Sequence, residues 1–314
     1  MPKNTRDVFF DEVYEKIRNG EDIVIVSADL AAPSLDRFRV DYPNRYISVG
    51  IAEQNLLAVS VGLAQNGKKV IVYGCSPFMW ARGYEFIRVL LGCMDVPVIM
   101  LSLCVGFNFS TLGPTHFSIE DLSVLRSIPY LRINAVNNVV MAKEVLNYSL
   151  NSTHPNFIRM ENTDNTGQYK DCKIDYDKGF LEHSTGKDLT IVTIGSTAHE
   201  AVAAARNLSE NDVNTGVVEV ISLPLNEKAL LRVFDNTRSL LVVEEHVLQG
   251  GLGSYICEII CDSGKQKPIK RIGLNFKDGY YYSFGKTAEV RHLFGLDKHG
   301  IEQAAIQFAR QNNH

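Results

Sequence analysis

Short β-branched runs recur along this chain, and a stretch with helical spacing follows each of them. Asp22–Ser27 reads DIVIVS, Lys69–Tyr73 reads KVIVY, Pro97–Leu103 reads PVIMLSL, and Leu189–Gly195 reads LTIVTIG. Continuous apolar runs of that length predict strands buried on both faces. Val49–Gln65, Tyr84–Leu91, Glu120–Ser127 and Val139–Leu150 lie between or after them and are expected helices, with further strands at Leu131–Asn134 and Phe157–Met160. Ahead of the first strand, Val8, Phe9, Val13 and Ile17 recur at helical spacing, and Asn19-Gly20 supplies the stop. Strands alternating with helices imply a parallel sheet covered on both faces.

The texture changes between Glu161 and Gly186, where polar and turn-forming residues replace the periodicity. The alternation then restarts, with strands VNTGVVEV, SLLVVEE and IKRIGL. Expected helices are Ser196–Leu208, Asn226–Val233, Leu252–Cys261 and His299–Arg310. The expected fold class is therefore α/β, with two doubly wound domains: residues 1–165 and 187–314, joined by a linker over 166–186. A length of 314 residues agrees, at about 150 residues per domain. With 32 basic and 36 acidic residues, no charge footprint points to nucleic acid or an anionic membrane. No apolar run reaches the ~18 residues of a membrane span. The six cysteines form no CxxC and have no histidine pair to complete a zinc site, so no metal site is expected in this chain. A reduced, cytoplasmic protein is expected.

Four features exceed what a sheet requires. Glu53, in Gly50-Ile51-Ala52-Glu53-Gln54-Asn55, opens a helix of small and apolar residues. A carboxylate there is costly unless partnered, although the helix dipole alone also favours it. His116 follows Gly113-Pro114-Thr115 in an expected loop. A loop histidine suits acid/base work near neutral pH, and it equally suits a solvated or capping role. Phe78, Trp80, Tyr84 and Phe86 are core residues or a stacking platform. Glu244-Glu245-His246 with Gly250-Gly251-Leu252-Gly253 reads as a strand end and a tight turn, because glycine serves turns for conformational reasons. Glu120 and Asp121 read as first-turn helix charges.

Taken together, DIVIVSADLAAPSL, YISVGIAEQNLLAVSVGLA, LGPTHFSIEDLSVLRSIP and LLVVEEHVLQGGLGS resemble the C-terminal half of a transketolase. They fall in the family's order and cover nearly the whole chain. The resemblance implies a pyrimidine-binding domain followed by a transketolase C-terminal domain, thiamine diphosphate as cofactor, and transfer of a two-carbon ketol unit between sugars. It assigns Glu53 to N1′ of the cofactor's aminopyrimidine, where the bond promotes the imino tautomer that takes the thiazolium proton. Phe78 would cover the aminopyrimidine face, Ile51 would contact it, and Asp29 and Leu30 would lie close to the cofactor. His116 would contact the sugar's oxygens and assist proton transfer.

The family's GDG motif with its following Asn, which holds diphosphate and magnesium, belongs to the other half of the enzyme. Asp278-Gly279 with Asn312-Asn313 lacks the following strand and does not replace it. The resemblance therefore implies a split enzyme: an N-terminal partner subunit holds the magnesium in an α2β2 assembly, and this chain is the C-terminal subunit. Four departures bear on the substrate, one being the segment Cys104–Thr111 (CVGFNFST) in place of the family's His-Asp-Ser-Ile-Gly run. Leu112 stands where the family has Asp, Phe117 where it has Gln, and Asn134-Ala135 where an Arg-Pro pair holds a phosphate. A modified or nucleotide-linked sugar fits those changes, with Arg82, Arg126 or Arg132 available to restore a phosphate site. Two alternatives stand beside this reading. One is a deoxyxylulose-phosphate-synthase-like or 2-oxo-acid-decarboxylating β component. The other is a non-catalytic structural subunit.

Overall fold

The computed structural model describes residues 3–163, 169, 172–275 and 279–312. The chain divides into two compact units, Met1–Val105 with Leu125–Ile174, and Gly106–Val124 with Asp175–His314. The first half runs α1 (Thr5–Arg18), β1 (Ile23–Ser27), α2 (Pro33–Asp41), β2 (Tyr46–Ser48), α3 (Glu53–Gln65), β3 (Lys69–Cys75), α4 (Ser76–Phe86), β4 (Val98–Leu103), α5 (Asp121–Leu125), β5 (Arg132–Val136), α6 (Val139–Leu150) and β6 (Asn156–Met160). The second runs β7 (Phe180–Ser184), β8 (Leu189–Ile194), α7 (Thr197–Glu210), β9 (Thr215–Val220), β10 (Ser222–Leu223), α8 (Glu227–Asp235), β11 (Ser239–Val247), α9 (Leu252–Asp262), β12 (Ile269–Leu274), α10 (Thr287–Leu293) and α11 (Lys298–Asn312).

In the first unit the strands lie in the order β5-β6-β4-β3-β1-β2, and each neighbouring pair is parallel. Every residue of β1 and β4 is buried, as their unbroken apolar runs require. Helix α1 starts where Asn4 accepts a hydrogen bond from the Asp7 amide and ends at Asn19, with Gly20 at φ +94°. It buries Phe9, Phe10, Val13 and Ile17. Phe10 meets the buried Tyr73 ring edge-on at 5.1 Å, a favoured aromatic geometry.

Three elements of this unit differ from expectation, the first being helix α2 (Pro33–Asp41), which the sequence pattern did not include. The helix expected over Tyr84–Leu91 begins earlier, at Ser76, and runs on through a π-helical turn at Ile87–Cys93. Pro77 explains the early start, because its fixed φ and missing N–H suit a first helical turn. Phe78 and Trp80 thereby lie on a helix. The short edge strand β2 had no periodicity to announce it.

The second unit has strand order β12-β11-β8-β9-β7, parallel except for β7, which pairs antiparallel with β9. Part of the stretch expected to be linker is therefore an edge strand. Phe180 and Leu181 are buried there, and His183 is hydrogen-bonded to the buried Glu219 at 2.7 Å. Residues 166–168, 170 and 171 of the expected linker lie outside the described residues. This unit also takes in Gly106–Val124, which the sequence placed inside a continuous first domain. The apolar core explains it: Phe107, Phe117 and Ile119 are buried together with Leu189, Ile191, Leu241, Val243 and Leu296. Among the described residues, no helix is long and apolar enough to cross a membrane.

Candidate active site

In the first unit, parallel strands all deliver their carboxyl ends to one edge of the sheet, where α/β proteins bind ligands. Five candidate residues leave the adjacent strands β2, β1 and β3 at that edge. Asp29 and Leu30 follow β1. Asp29 is exposed and has φ +58°, a left-handed conformation that Asp tolerates better than most residues. Val49, Gly50 and Ile51 follow β2, with Gly50 at φ +71° and Ile51 75% exposed. A large apolar side chain that exposed offers contact area to something outside the chain. The Ala52 amide donates to Gly50 O at 2.8 Å, and this tight turn sets Glu53 as the first residue of α3.

Glu53 is 5% exposed. It lies on the first turn of α3, at the positive end of the helix dipole. Arg82 Nη1 donates to Glu53 Oε2 at 2.9 Å, a charge-assisted bond that compensates burial. Glu53 Oε1 takes no hydrogen bond from the described residues. The same guanidinium lies over the Phe78 ring, 4.6 Å from its centroid. Gln54 Nε2 donates to Arg82 O at 3.3 Å. The structure thus brings Glu53 and Phe78 into one cluster through Arg82. The sequence had offered Arg82 only as a substitute phosphate ligand. The signal that could have found its role is its place one helical turn after Phe78.

His116 belongs to the second unit. Gly106 and Ser118 form an antiparallel bridge, at 2.9 and 3.1 Å, that closes the base of the loop between them. Pro114–His116 forms a short 3-10 turn there. Gly113 precedes it at φ +82°, and a Cβ at that position would strike the Phe284 ring. Only glycine fits. The His116 ring is half-buried, with Nδ1 3.0 Å from Thr115 Oγ1. Burial pushes its pKa below the usual histidine value, so the ring is neutral at pH 7.

Other sequence features resolve into structure. Phe117 is buried edge-on to Phe107 at 5.2 Å and stacked with Tyr281 at 6.1 Å, so it anchors the loop. Leu112 is half-exposed. Asn134 is fully buried in β5 and donates to Asn156 Oδ1 at 2.9 Å, a cross-strand bond. Glu120 and Asp121 are more than helix-start charges. Tyr280 Oη donates to Glu120, whose carboxyl burial pushes upward, and the fully buried Asp121 lies 3.6 Å from His246 Nε2. Glu244 accepts from the Leu252 and Gly253 amides at 2.6 and 2.9 Å, so a carboxylate of the same unit already occupies the start of α9. The Gly250–Gly253 turn is a packing turn: a Cβ on Gly251 would strike Glu244. Among the described residues no cluster of His, Cys, Asp or Glu could hold a metal ion. Asp278 and Asn313 lie outside the described residues.

A family model described as transketolase, pyrimidine binding domain, matches residues 1–166, and one described as transketolase, C-terminal domain, matches residues 178–301. The chain belongs to the transketolase family. It is accordingly an enzyme chain of the transketolase-type transferases, built of those two α/β domains. It is 30% identical to an apulose-4-phosphate transketolase subunit of Actinobacillus succinogenes over 96% of each chain. It is 28% identical to the 6-deoxy-6-sulfo-D-fructose transketolase subunit SqwH of a Clostridium species, covering 98% of this chain and 95% of that one. The 1-deoxy-D-xylulose-5-phosphate synthase of Halothermothrix orenii is 30% identical over 95% of this chain, but only 47% of the synthase is covered. Among solved structures, a chain described as a split gene transketolase, inactive beta4 tetramer, superposes with TM-score 0.86 at 25% identity over the full length of both.

Proposed function

We propose that this transketolase chain is the C-terminal subunit of a two-chain, thiamine-diphosphate-dependent enzyme that moves a two-carbon ketol unit between sugars, one of them modified. The observation that carries the reading is the buried Glu53 carboxylate at the head of α3, clustered with Phe78. The end-to-end match to chains that are each named as one subunit of a transketolase supports an N-terminal partner. The synthase, by contrast, is matched over only about half its length.

The residues present fit the aminopyrimidine end of the cofactor. A buried carboxylate with one oxygen open to a new partner, an aromatic ring one step away and the exposed Ile51 suit a flat, apolar heterocycle with a ring nitrogen. Glu53 would hold that nitrogen, Phe78 and Ile51 would hold the ring, and Asp29 and Leu30 would border it. When bound, thiamine diphosphate supplies a thiazolium carbon able to carry the two-carbon unit. The partner would hold its diphosphate and magnesium. Glu53 keeps a proton at the ring nitrogen, and Arg82 orients the carboxylate. His116, neutral near pH 7 because it is half-buried, accepts a proton from a sugar hydroxyl and returns it. Leu112 cannot accept a hydrogen bond, so a substrate lacking or masking one hydroxyl fits beside the loop better than an ordinary ketose phosphate.

The test is reconstitution. This chain, its partner, thiamine diphosphate and magnesium should turn over hydroxypyruvate with a sugar acceptor, while neither chain alone does. Full activity from this chain alone, or unchanged activity in Glu53→Ala, overturns the reading. A 2-oxo-acid reaction has one observation in its favour, the 30% identity to the synthase. It predicts turnover of pyruvate in preference to hydroxypyruvate.

A further inference from the structure

The loop carrying His116 is gripped at both ends by the last residues of β11. At its first end, Glu245 Oε1 accepts from the Phe107 amide. A Cβ on Gly106, which has φ +56°, would collide with that same oxygen. The carbonyl of Phe107 accepts from Thr287 Oγ1 at 2.9 Å, and Ser110 Oγ donates to Gly285 O at 2.8 Å. At its second end, the Val247 amide donates to Ile119 O at 2.9 Å, and the Leu122 amide donates to His246 Nε2 at 3.1 Å. Because that nitrogen accepts, His246 is held as the tautomer whose Nδ1–H donates to Val247 O at 2.8 Å.

Glu245 is 8% exposed, so its charge needs compensation. Arg291 of α10 provides it, donating from Nε to Glu245 Oε2 and from Nη2 to Ser196 Oγ. The guanidinium fork thus ties α10, the start of α7 and the end of β11 to the point where the loop begins. Successive residues of a strand point to opposite faces, which is how Glu245 and His246 reach different ends of one loop. Phe117, one of the chain's departures from its family at this loop, adds to the same grip through Phe107 and Tyr281.

We propose that Glu245, held by Arg291, is a positioning residue for His116, so that the C-terminal domain sets the fit of the sugar through this loop. The part that concerns the sugar rests on the reading above; the geometry does not.

Arg291→Ala in the reconstituted pair, assayed with hydroxypyruvate and a sugar acceptor, should lower kcat/KM by about 10- to 100-fold, since a misplacement of ~1 Å can cost about 10²-fold. The loss should fall mainly on the sugar KM, with the apparent Kd for thiamine diphosphate unchanged. Arg291→Lys, which keeps one cation beside Glu245, should recover part of it. A parallel loss of cofactor affinity, or unchanged kcat/KM, overturns the proposal. Hydrogen exchange on the full chain without partner supplies a second readout. Peptides over 107–118 should exchange faster in Arg291→Ala while those over β8 do not; uniform acceleration or none also overturns it. If Arg291→Ala fails to fold, Thr287→Val, which removes the bonds of Thr287 Oγ1 to Phe107 O and to Ser110 Oγ at the same end of the loop, is read the same way. If the wild-type pair transfers no ketol unit, the functional reading fails while the exchange experiment still decides the geometry.

Discussion

The two candidate residues with chemistry, Glu53 and His116, are positioned in opposite ways. Glu53 is placed by its own neighbourhood: the Gly50 turn, the first turn of α3, and Arg82 only 29 positions away. His116 sits in a loop whose anchors, Glu245 and His246, bond to residues 138 and 124 positions away. The first arrangement survives in any chain that forms β2, β3 and their helices. The second exists only once the far end of the chain has folded around residues 106–124. The residues of the Glu53 cluster therefore lie within 29 positions of one another, whereas the His116 loop is anchored by pieces scattered over the second half of the sequence.

The comparison can be broken at Glu53 first. Glu53→Gln in the reconstituted pair should reduce turnover by about 10² to 10⁴-fold, the usual range for a proton-handling group. Circular dichroism of the variant should stay unchanged, since Gln fills the same space. Loss of fold with loss of activity would make Glu53 structural.

A second expected effect concerns stability of the far anchor. Glu244 is fully buried and accepts from two amides at the start of α9. Glu244→Ala leaves both donors unsatisfied and should cost about 3 kcal/mol in chemical denaturation. A change below ~1 kcal/mol would show that water or a neighbouring group replaces the carboxylate.

The pH dependence of His116 gives a smaller effect. Burial lowers its folded-state pKa, so as pH falls the unfolded chain takes up the proton first. Stability is unaffected above the ordinary histidine value of about 6.5 and declines as pH falls through it toward the folded value. The acid limb of kcat/KM should likewise lie below about 6.5 and vanish in His116→Gln. An acid limb that persists in that variant assigns it to another group.

The smallest effect sharpens the local side of the contrast. Arg82 is half-exposed, with its side chain at 53%, and exposed pairs contribute ~1 kcal/mol or less. Arg82→Ala should therefore barely move the melting transition while weakening thiamine diphosphate binding. A large drop in stability would mean that Glu53 cannot be buried without it.

Much of this could be read from residues alone. The apolar runs of β1, β3, β4 and β8 are long enough to be strands and too short to be helices. Asn19-Gly20 ends α1 where expected. Glu53 was legible because a carboxylate opening an apolar helix is a local contradiction of burial, visible within six residues. What escaped had no local contradiction. Strand β7 lies in polar text, because an antiparallel edge strand needs only one apolar face. Glu120, Asp121 and Glu245 look like ordinary solvated charges until their partners are known. By itself, then, the sequence determined the alternating α/β architecture and the carboxylate that opens the apolar helix α3, because periodicity and burial act over a few residues. Only the tertiary structure decided that residues 106–124 belong to the second unit and that His116 is held by β11. Contacts across more than a hundred residues leave no period to read, and they arise only when the core around Phe107, Phe117 and Ile119 closes.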